Sequence, residues 1–316
     1  MEIHQPNLQV HIGKLLLKNP VLVSSGTYGI GEEYDEFLDI GKLGGIITKS
    51  ITLYPKKGNP PPRVVETPAG MLNAIGLQNP GFEVFKKEKV PFLKKLKIPI
   101  IINIAGDTPE EYGELAAKVG DLGVASAIEL NISCPNVKKG GLAFSSDPHM
   151  THDVVALARK ATSLPIITKL SPNVTDVTFF AKVAIDAGTD GLSLINTLLG
   201  MSIDIDNMRP CIANITGGLS GPAIRPVAVR VIWQVAKKYN IPIIGMGGVE
   251  DAASAIELLL AGATAVSVGT ANFYNPQAPF EIIDGISQYL KAKGINDIAQ
   301  VKLPELQMRI GEAERR

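Results

Sequence analysis

Short runs of Val, Ile and Leu recur along this chain, and most are followed by a stretch with helical periodicity. After a hairpin over 8–11 and 15–18, the runs fall at Pro20–Ser24, Gly45–Ser50, Ile98–Ile104, Ala127–Ser133, Pro165–Leu170, Gly191–Asn196, Ile241–Met246 and Ala265–Gly269. They are apolar almost throughout instead of alternating with polar residues, which is the pattern of strands buried on both faces of a parallel sheet. Between them lie amphipathic patterns such as Pro109–Val119, Thr151–Thr162, Asp176–Ala187, Pro226–Tyr239 and Asp251–Ala261. Glycines in Ala187-Gly-Thr-Asp-Gly191 and Ala261-Gly-Ala263 stop a helix before the next strand begins. A doubly wound sheet fits the alternation equally well, so the number of units decides. Eight strand–helix units in 316 residues predict an α/β fold of the (β/α)8 TIM barrel type, for which about 250 residues plus insertions is usual. No Pro/Ser/Gly-rich linker and no solenoid-length repeat divides the chain, so a single domain over 1–316 is expected.

Three connections are longer than a barrel requires: Ile51–Pro80, Pro135–Pro148 and Thr197–Pro222. All follow strands, so in a barrel they rise from the C-terminal face, where long loops serve as lids and substrate contacts. Composition narrows the partners. Lys+Arg and Asp+Glu both total 31, which gives no reason to expect nucleic acid or an anionic membrane surface. Two cysteines, Cys134 and Cys211, are too few for a disulfide framework or a four-thiolate iron–sulfur cluster, and they suit a reducing compartment. No secretory pattern and no apolar run of membrane-spanning length is evident, so a soluble, cytoplasmic protein is expected.

The fourth run carries the densest chemistry. Glu129-Leu-Asn-Ile-Ser-Cys-Pro-Asn-Val137 delivers a thiol and two amides to a strand end, where proline stops the ladder. Cys134 could be a small buried hydrophobe, as most free cysteines are. With no histidine at a strand end, it is also the best candidate for a general base. Lys49 and Lys169 end apolar runs, and lysine is seldom buried without a counter-charge, so they suit an anionic cofactor or substrate. Asn103, Asn131 and Asn196 close other runs, and amides that donate and accept can read a planar ring of C=O and N–H groups. Gly247-Gly248 and Gly269-Thr270 follow the last two runs, where barrels hold a cofactor phosphate. Either glycine pair alone is also ordinary turn chemistry. The GxGxxG and Walker patterns are both absent, as is HExxH among His4, His11, His149 and His152, so no dinucleotide fold, P-loop or metal is expected. Cys211 is read as incidental.

Taken in order, these segments resemble the dihydroorotate dehydrogenase family, in its class 1 form with a cysteine base, from about Leu15 to the region of Phe280. The resemblance rests on Ser24-Ser-Gly26, Thr48-Lys-Ser50, Asn73-Ala-Ile-Gly-Leu77, Asn131-Ile-Ser-Cys-Pro-Asn136, Lys169-Leu-Ser-Pro172, Asn196-Thr197, Ser220-Gly-Pro222, Gly247-Gly248 and Gly269-Thr270. It implies FMN at the barrel mouth, held by Ser25, Gly26, Lys49, Ser50, Asn103, Asn131, Lys169, Ile195, Gly221, Gly247, Gly248, Gly269 and Thr270. It implies a substrate site of Lys49, Asn73, Ala74, Ile75, Gly76, Leu77, Asn131, Asn196 and Thr197, with Cys134 as the catalytic base. Dihydroorotate would be oxidised to orotate for pyrimidine synthesis.

Within class 1, Asn131 through Gly141 looks more like the NAD-linked form, class 1B. That form implies a homodimeric core joined, as a heterotetramer, by a partner subunit carrying FAD and a [2Fe–2S] cluster. Three other readings remain at this stage. One is the fumarate-linked class 1A enzyme. Another is a dihydropyrimidine dehydrogenase, which orotate against uracil binding would separate. The last is a non-catalytic barrel.

Overall fold

The computed structural model describes residues 5–133 and 146–307. Cys134, His4 and most of the connection from 135 to 148 lie outside the described residues. The chain opens with an antiparallel hairpin of β1 (Val10–Ile12) and β2 (Leu15–Leu17). Ile12 and Leu17 are fully buried. A Cβ placed on Gly191, at the start of a barrel strand, would lie 2.9 Å from Ile12 Cγ2. The hairpin therefore packs against the N-terminal end of the barrel.

The expected barrel is present. Its strands are β3 (Val21–Val23), β4 (Gly45–Ile47), β7 (Ile100–Ile104), β8 (Ala127–Asn131), β9 (Ile166–Lys169), β10 (Gly191–Leu194), β15 (Ile243–Met246) and β16 (Ala265–Val268). They are hydrogen-bonded side by side in chain order and close from β16 back to β3, every pair parallel. Every residue in these eight strands is buried, which is why their sequences do not alternate.

Helices Pro109–Gly120, Pro148–Ala161, Val177–Asp186, Arg225–Lys238, Ala252–Leu260 and Ala278–Lys293 follow strands. Side-chain oxygens end-stop several of them by accepting from the first-turn amides: Thr108, Asp147, Asp176 and Asp251. The helix expected from Thr151 starts earlier, at Pro148, because Asp147 caps it and proline fits its first turn. His149 and His152 lie in the first turns of that helix.

Several strands stop short of the apolar runs that announce them. The run Gly45–Ser50 pairs only to Ile47, and Gly191–Asn196 only to Leu194. Lys49 and Asn196 thus lie just past the ladder, where the backbone can turn their side chains into the barrel mouth.

The larger difference concerns two of the long connections. Residues 51–80 supply β5 (Val64–Thr67) and β6 (Gly70–Asn73), and residues 197–222 supply β11 (Leu198–Met201) and β14 (Thr216–Ser220). These form one four-stranded antiparallel sheet in the order β11-β14-β6-β5. A small ribbon of β12 (Ile203–Asp204) and β13 (Arg209–Pro210) extends the second excursion. Their apolar content is too thin and too half-exposed to be read as strand from sequence. The hairpin of β5 and β6 is tightly built: Gly70 has a φ of +149°, and a Cβ there would lie 1.9 Å from the Ser220 carbonyl oxygen. Gly70→Ala is therefore expected to cost about 1–3 kcal/mol through overpacking, read as a lower Tm. An unchanged Tm would mean that β6 and β14 do not approach this closely.

Candidate active site

A cavity of about 500 Å³ opens at the C-terminal end of the barrel, bounded on one side by the four-stranded sheet. Each barrel strand except β7 brings a lining residue at or soon after its end. Ser25 and Gly26 follow β3, Lys49 and Ser50 follow β4, Asn131 ends β8, and Lys169 ends β9. Ile195, Asn196 and Thr197 follow β10, Gly247 and Gly248 follow β15, and Gly269 and Thr270 follow β16. The sheet and its flanks add Asn73, Ile75, Gly76, Leu77 and Gly221. The strand-end residues and the loop motif singled out in the sequence therefore meet in one place.

Two of them do not line it. Ala74 is fully buried in the first excursion, and its amide donates to the Arg63 carbonyl. Asn103 is also fully buried, below the cavity floor. Its amide nitrogen donates to Glu129, and its amide oxygen accepts from the Ser50 hydroxyl. Glu129 accepts a second hydrogen bond, from Ser193 Oγ at 2.6 Å. Above this pair, Asn131 Nδ2 donates to Ser50 Oγ at 3.1 Å, and Asn196 Nδ2 donates to Ser133 Oγ at 2.8 Å and to Asn131 Oδ1 at 3.5 Å. The amides at the mouth are thus held in orientation by a continuous network.

Among the described residues, Lys49, Arg63 and Lys169 bring three cations to the cavity, against the one carboxylate of Glu250. Lys169 is 6% exposed, and among the described residues it makes none of the ion pairs. Lys49 also lines the cavity, and it too makes none of the ion pairs among the described residues. Burial, and then the nearby Arg63 cation, hold its ammonium below the usual lysine range, with Glu33 opposing. Buried charge without a counter-charge is costly, so this cavity suits a ligand that brings negative charge. The glycines suit a phosphate. Gly248 has a φ of +73°, which favours glycine, while a Cβ on Gly269 would meet only Ser24 at 3.5–3.7 Å. The wall at Gly269 thus has spare room that protein packing does not use. These residues fit FMN, a planar ring bearing a phosphate: cations and amides for the ring system, and the backbone of Gly247, Gly248 and Gly269 for the phosphate.

Several lining residues carried no signal in the sequence reading. Arg63 enters from the first excursion, donating to the Asn59 carbonyl at 3.1 Å and to Gln78 Oε1 at 2.5 Å. Glu250 and Tyr274 lie on the glycine side, with Tyr274 Oη donating to Glu250 Oε2 at 3.0 Å. Arg63 would have been found only by recognising that residues after Pro62 form a strand. Glu250 is foreshadowed by its place directly after Gly247-Gly248-Val249.

Comparison with known proteins identifies the family. A family model described as Dihydroorotate dehydrogenase matches residues 7–290. A protein of Geotalea daltonii named "Dihydroorotate dehydrogenase B (NAD(+)), catalytic subunit" is 55% identical over 297 residues, covering 94% of this chain and 97% of that protein. One of the same name from Desulforamulus reducens is 54% identical over 295 residues, covering 93% and 97%. Among solved structures, dihydroorotate dehydrogenase from Eimeria tenella, crystallised with ferulenol, superposes with a TM-score of 0.80 at 24% identity, covering 95% of this chain and 89% of that one. At that identity the superposition speaks for the barrel. The family model and the relatives above half identity speak for more: this chain belongs to the dihydroorotate dehydrogenase family, within its NAD-linked class 1B.

Proposed function

We propose that this chain oxidises dihydroorotate to orotate with FMN bound at the barrel mouth, as the catalytic subunit of an NAD-linked enzyme of pyrimidine synthesis. The observation that carries the reading is the meeting of Lys49, Lys169 and a row of amides at the C-terminal end of the barrel. Lys49 binds the carboxylate of the substrate, the feature that separates orotate from uracil. Asn73, Asn131, Asn196 and Thr197 grip the polar edge of its ring, and Ile75, Gly76 and Leu77 close around it. FMN, when bound, supplies the electron sink that takes hydride from C6. Cys134 removes the proton from C5 as general base. Ser25, Gly26, Ser50, Ile195 and Gly221 hold the ring system. Gly247, Gly248, Gly269 and Thr270 hold the phosphate, with Asn103 supporting from below. Lys169 stabilises negative charge that develops near it.

The name "catalytic subunit" borne by the relatives implies a companion polypeptide for this chain as well. The companion is expected to carry FAD and a [2Fe–2S] cluster and to dock on a homodimer of this chain. Two cysteines cannot hold such a cluster here. Among the described residues no helix is long and apolar enough to cross a membrane, in keeping with a cytoplasmic enzyme.

The direct test is anaerobic stopped-flow absorbance of the FMN-loaded protein mixed with dihydroorotate. Rapid loss of the flavin band is expected. Retained colour with FMN still bound would sink dihydroorotate and leave a uracil-type substrate. Lys49 adds a pH signature. Its proton leaves at lower pH than an ordinary lysine's, so orotate affinity is fully present below that lowered value and is lost as pH rises through it. Lys49→Arg keeps its charge and is expected to move the alkaline loss of affinity to higher pH. A loss at the same pH in both proteins would assign it to another group.

A further inference from the structure

Glu129 lies inside the barrel on β8, fully buried and outside the lining of the cavity. It accepts from two side chains, Asn103 Nδ2 and Ser193 Oγ. Both of these hydrogen bonds use Glu129 as the acceptor, and that fixes everything above it. Asn103 must present its nitrogen to Glu129, so its oxygen faces Ser50. The Ser50 hydroxyl then donates downward to Asn103 and is left to accept from Asn131 Nδ2. Asn131 therefore presents nitrogen on this side and oxygen towards Asn196. An amide can turn over with little change of shape, exchanging donor for acceptor, and only its network decides between the two. One hydrogen of Asn131 Nδ2 is committed to Ser50, and the second remains for a ligand.

We propose that Glu129 is a positioning residue that sets the donor order of this chain of side chains, so that Asn131 offers an N–H to the cavity and selects a ring carbonyl. The proposal rests on the reading of the cavity as the orotate site and adds to it a residue that touches neither substrate nor cofactor. Without an acceptor at 129, Asn103 and Ser50 can reverse. Asn131 then turns its oxygen where a carbonyl must sit, and two acceptors face each other.

The test is a suppressor cycle on FMN-loaded protein, reading the orotate dissociation constant by titration of the flavin spectrum and Tm by thermal unfolding. Glu129→Leu removes the acceptor, frees Asn103 and Ser50 to reverse, and is expected to weaken orotate by about 10- to 100-fold. Asn103→Asp places two acceptors opposite each other and is expected to lower Tm, yet its carboxylate still accepts from Ser50, so an orotate loss within about threefold is expected. The double variant of Glu129→Gln with Asn103→Asp restores every partner: glutamine nitrogen donates to the new carboxylate at 103, which still accepts from Ser50, and glutamine oxygen accepts from Ser193. It should therefore recover Tm while orotate affinity stays near the wild-type level.

Glu129→Leu binding orotate as tightly as the wild type overturns the positioning role. Asn103→Asp as weak as Glu129→Leu, or a double variant whose Tm does not recover, overturns the donor order. A wild-type protein that holds FMN but takes up no orotate overturns the substrate reading, and the positioning role falls with it, although the Tm cycle still reports the donor order.

Discussion

Replacing Cys134 by alanine is expected to slow flavin reduction by dihydroorotate by about 10²–10⁴-fold, the usual range for loss of a general base. FMN and orotate should still bind. The prediction separates the base from its surroundings, because a thiol that only filled space would be replaced by alanine at little kinetic cost. Cys134→Ser should fall between the two, retaining a group able to carry the proton but reluctant to give up its own. Single-turnover stopped-flow under anaerobic conditions reads the step itself. Reduction by Cys134→Ala at the wild-type rate would take Cys134 out of the mechanism and leave no base among the residues assigned here.

The second large effect is expected at Lys169. Changing it to methionine, of similar length and without charge, should weaken FMN by roughly 10- to 100-fold, the worth of a charge-assisted hydrogen bond. The same change should raise the Tm of the FMN-free protein, since a 6% exposed ammonium without an ion pair among the described residues opposes folding. The two measurements move in opposite directions, which loss of packing alone cannot do. Unchanged FMN affinity would show that Lys169 answers some other anion. A lower Tm in the FMN-free protein would show that the charge is compensated after all.

The barrel was legible because its strands are buried on every side, and burial writes itself into sequence as unbroken apolar runs. Helix starts were legible within a turn, and Pro148 was missed because the polar cap Asp147 lies before the first apolar residue of the pattern. The helical turns over 82–93 were not read, for Pro91 and the charged Lys86-Lys-Glu-Lys89 interrupt their periodicity. The sheet over the mouth reads as loop in the sequence. Its strands are short, half-exposed and glycine-bearing, as in Thr216-Gly-Gly-Leu-Ser220, so neither period nor apolar density marks them. The site was legible to the extent that its residues end strands: Lys49, Asn131, Lys169 and Asn196 announce themselves as polar breaks in apolar runs. Asn103 does so too, yet it points to a buried partner and not to the cavity. Arg63 could not be read, because its place depends on the hairpin of β5 and β6, whose half-exposed residues give no strand signal. Glu129 was visible only as a polar exception within a buried strand, and its role comes from what the fold sets beside it.

The four-stranded sheet ties together two excursions that leave the barrel at different strands. Gly218, Leu219 and Ser220 of β14 pair with Asn73, Leu72 and Met71 of β6, which joins segments some 145 residues apart. A slip of one residue in either excursion would turn every side chain of that strand to the opposite face, carrying Asn73 away from the mouth. The two insertions are consequently one heritable unit. A chimera that takes one excursion from a distant relative should assemble its barrel yet lose its grip on the ring.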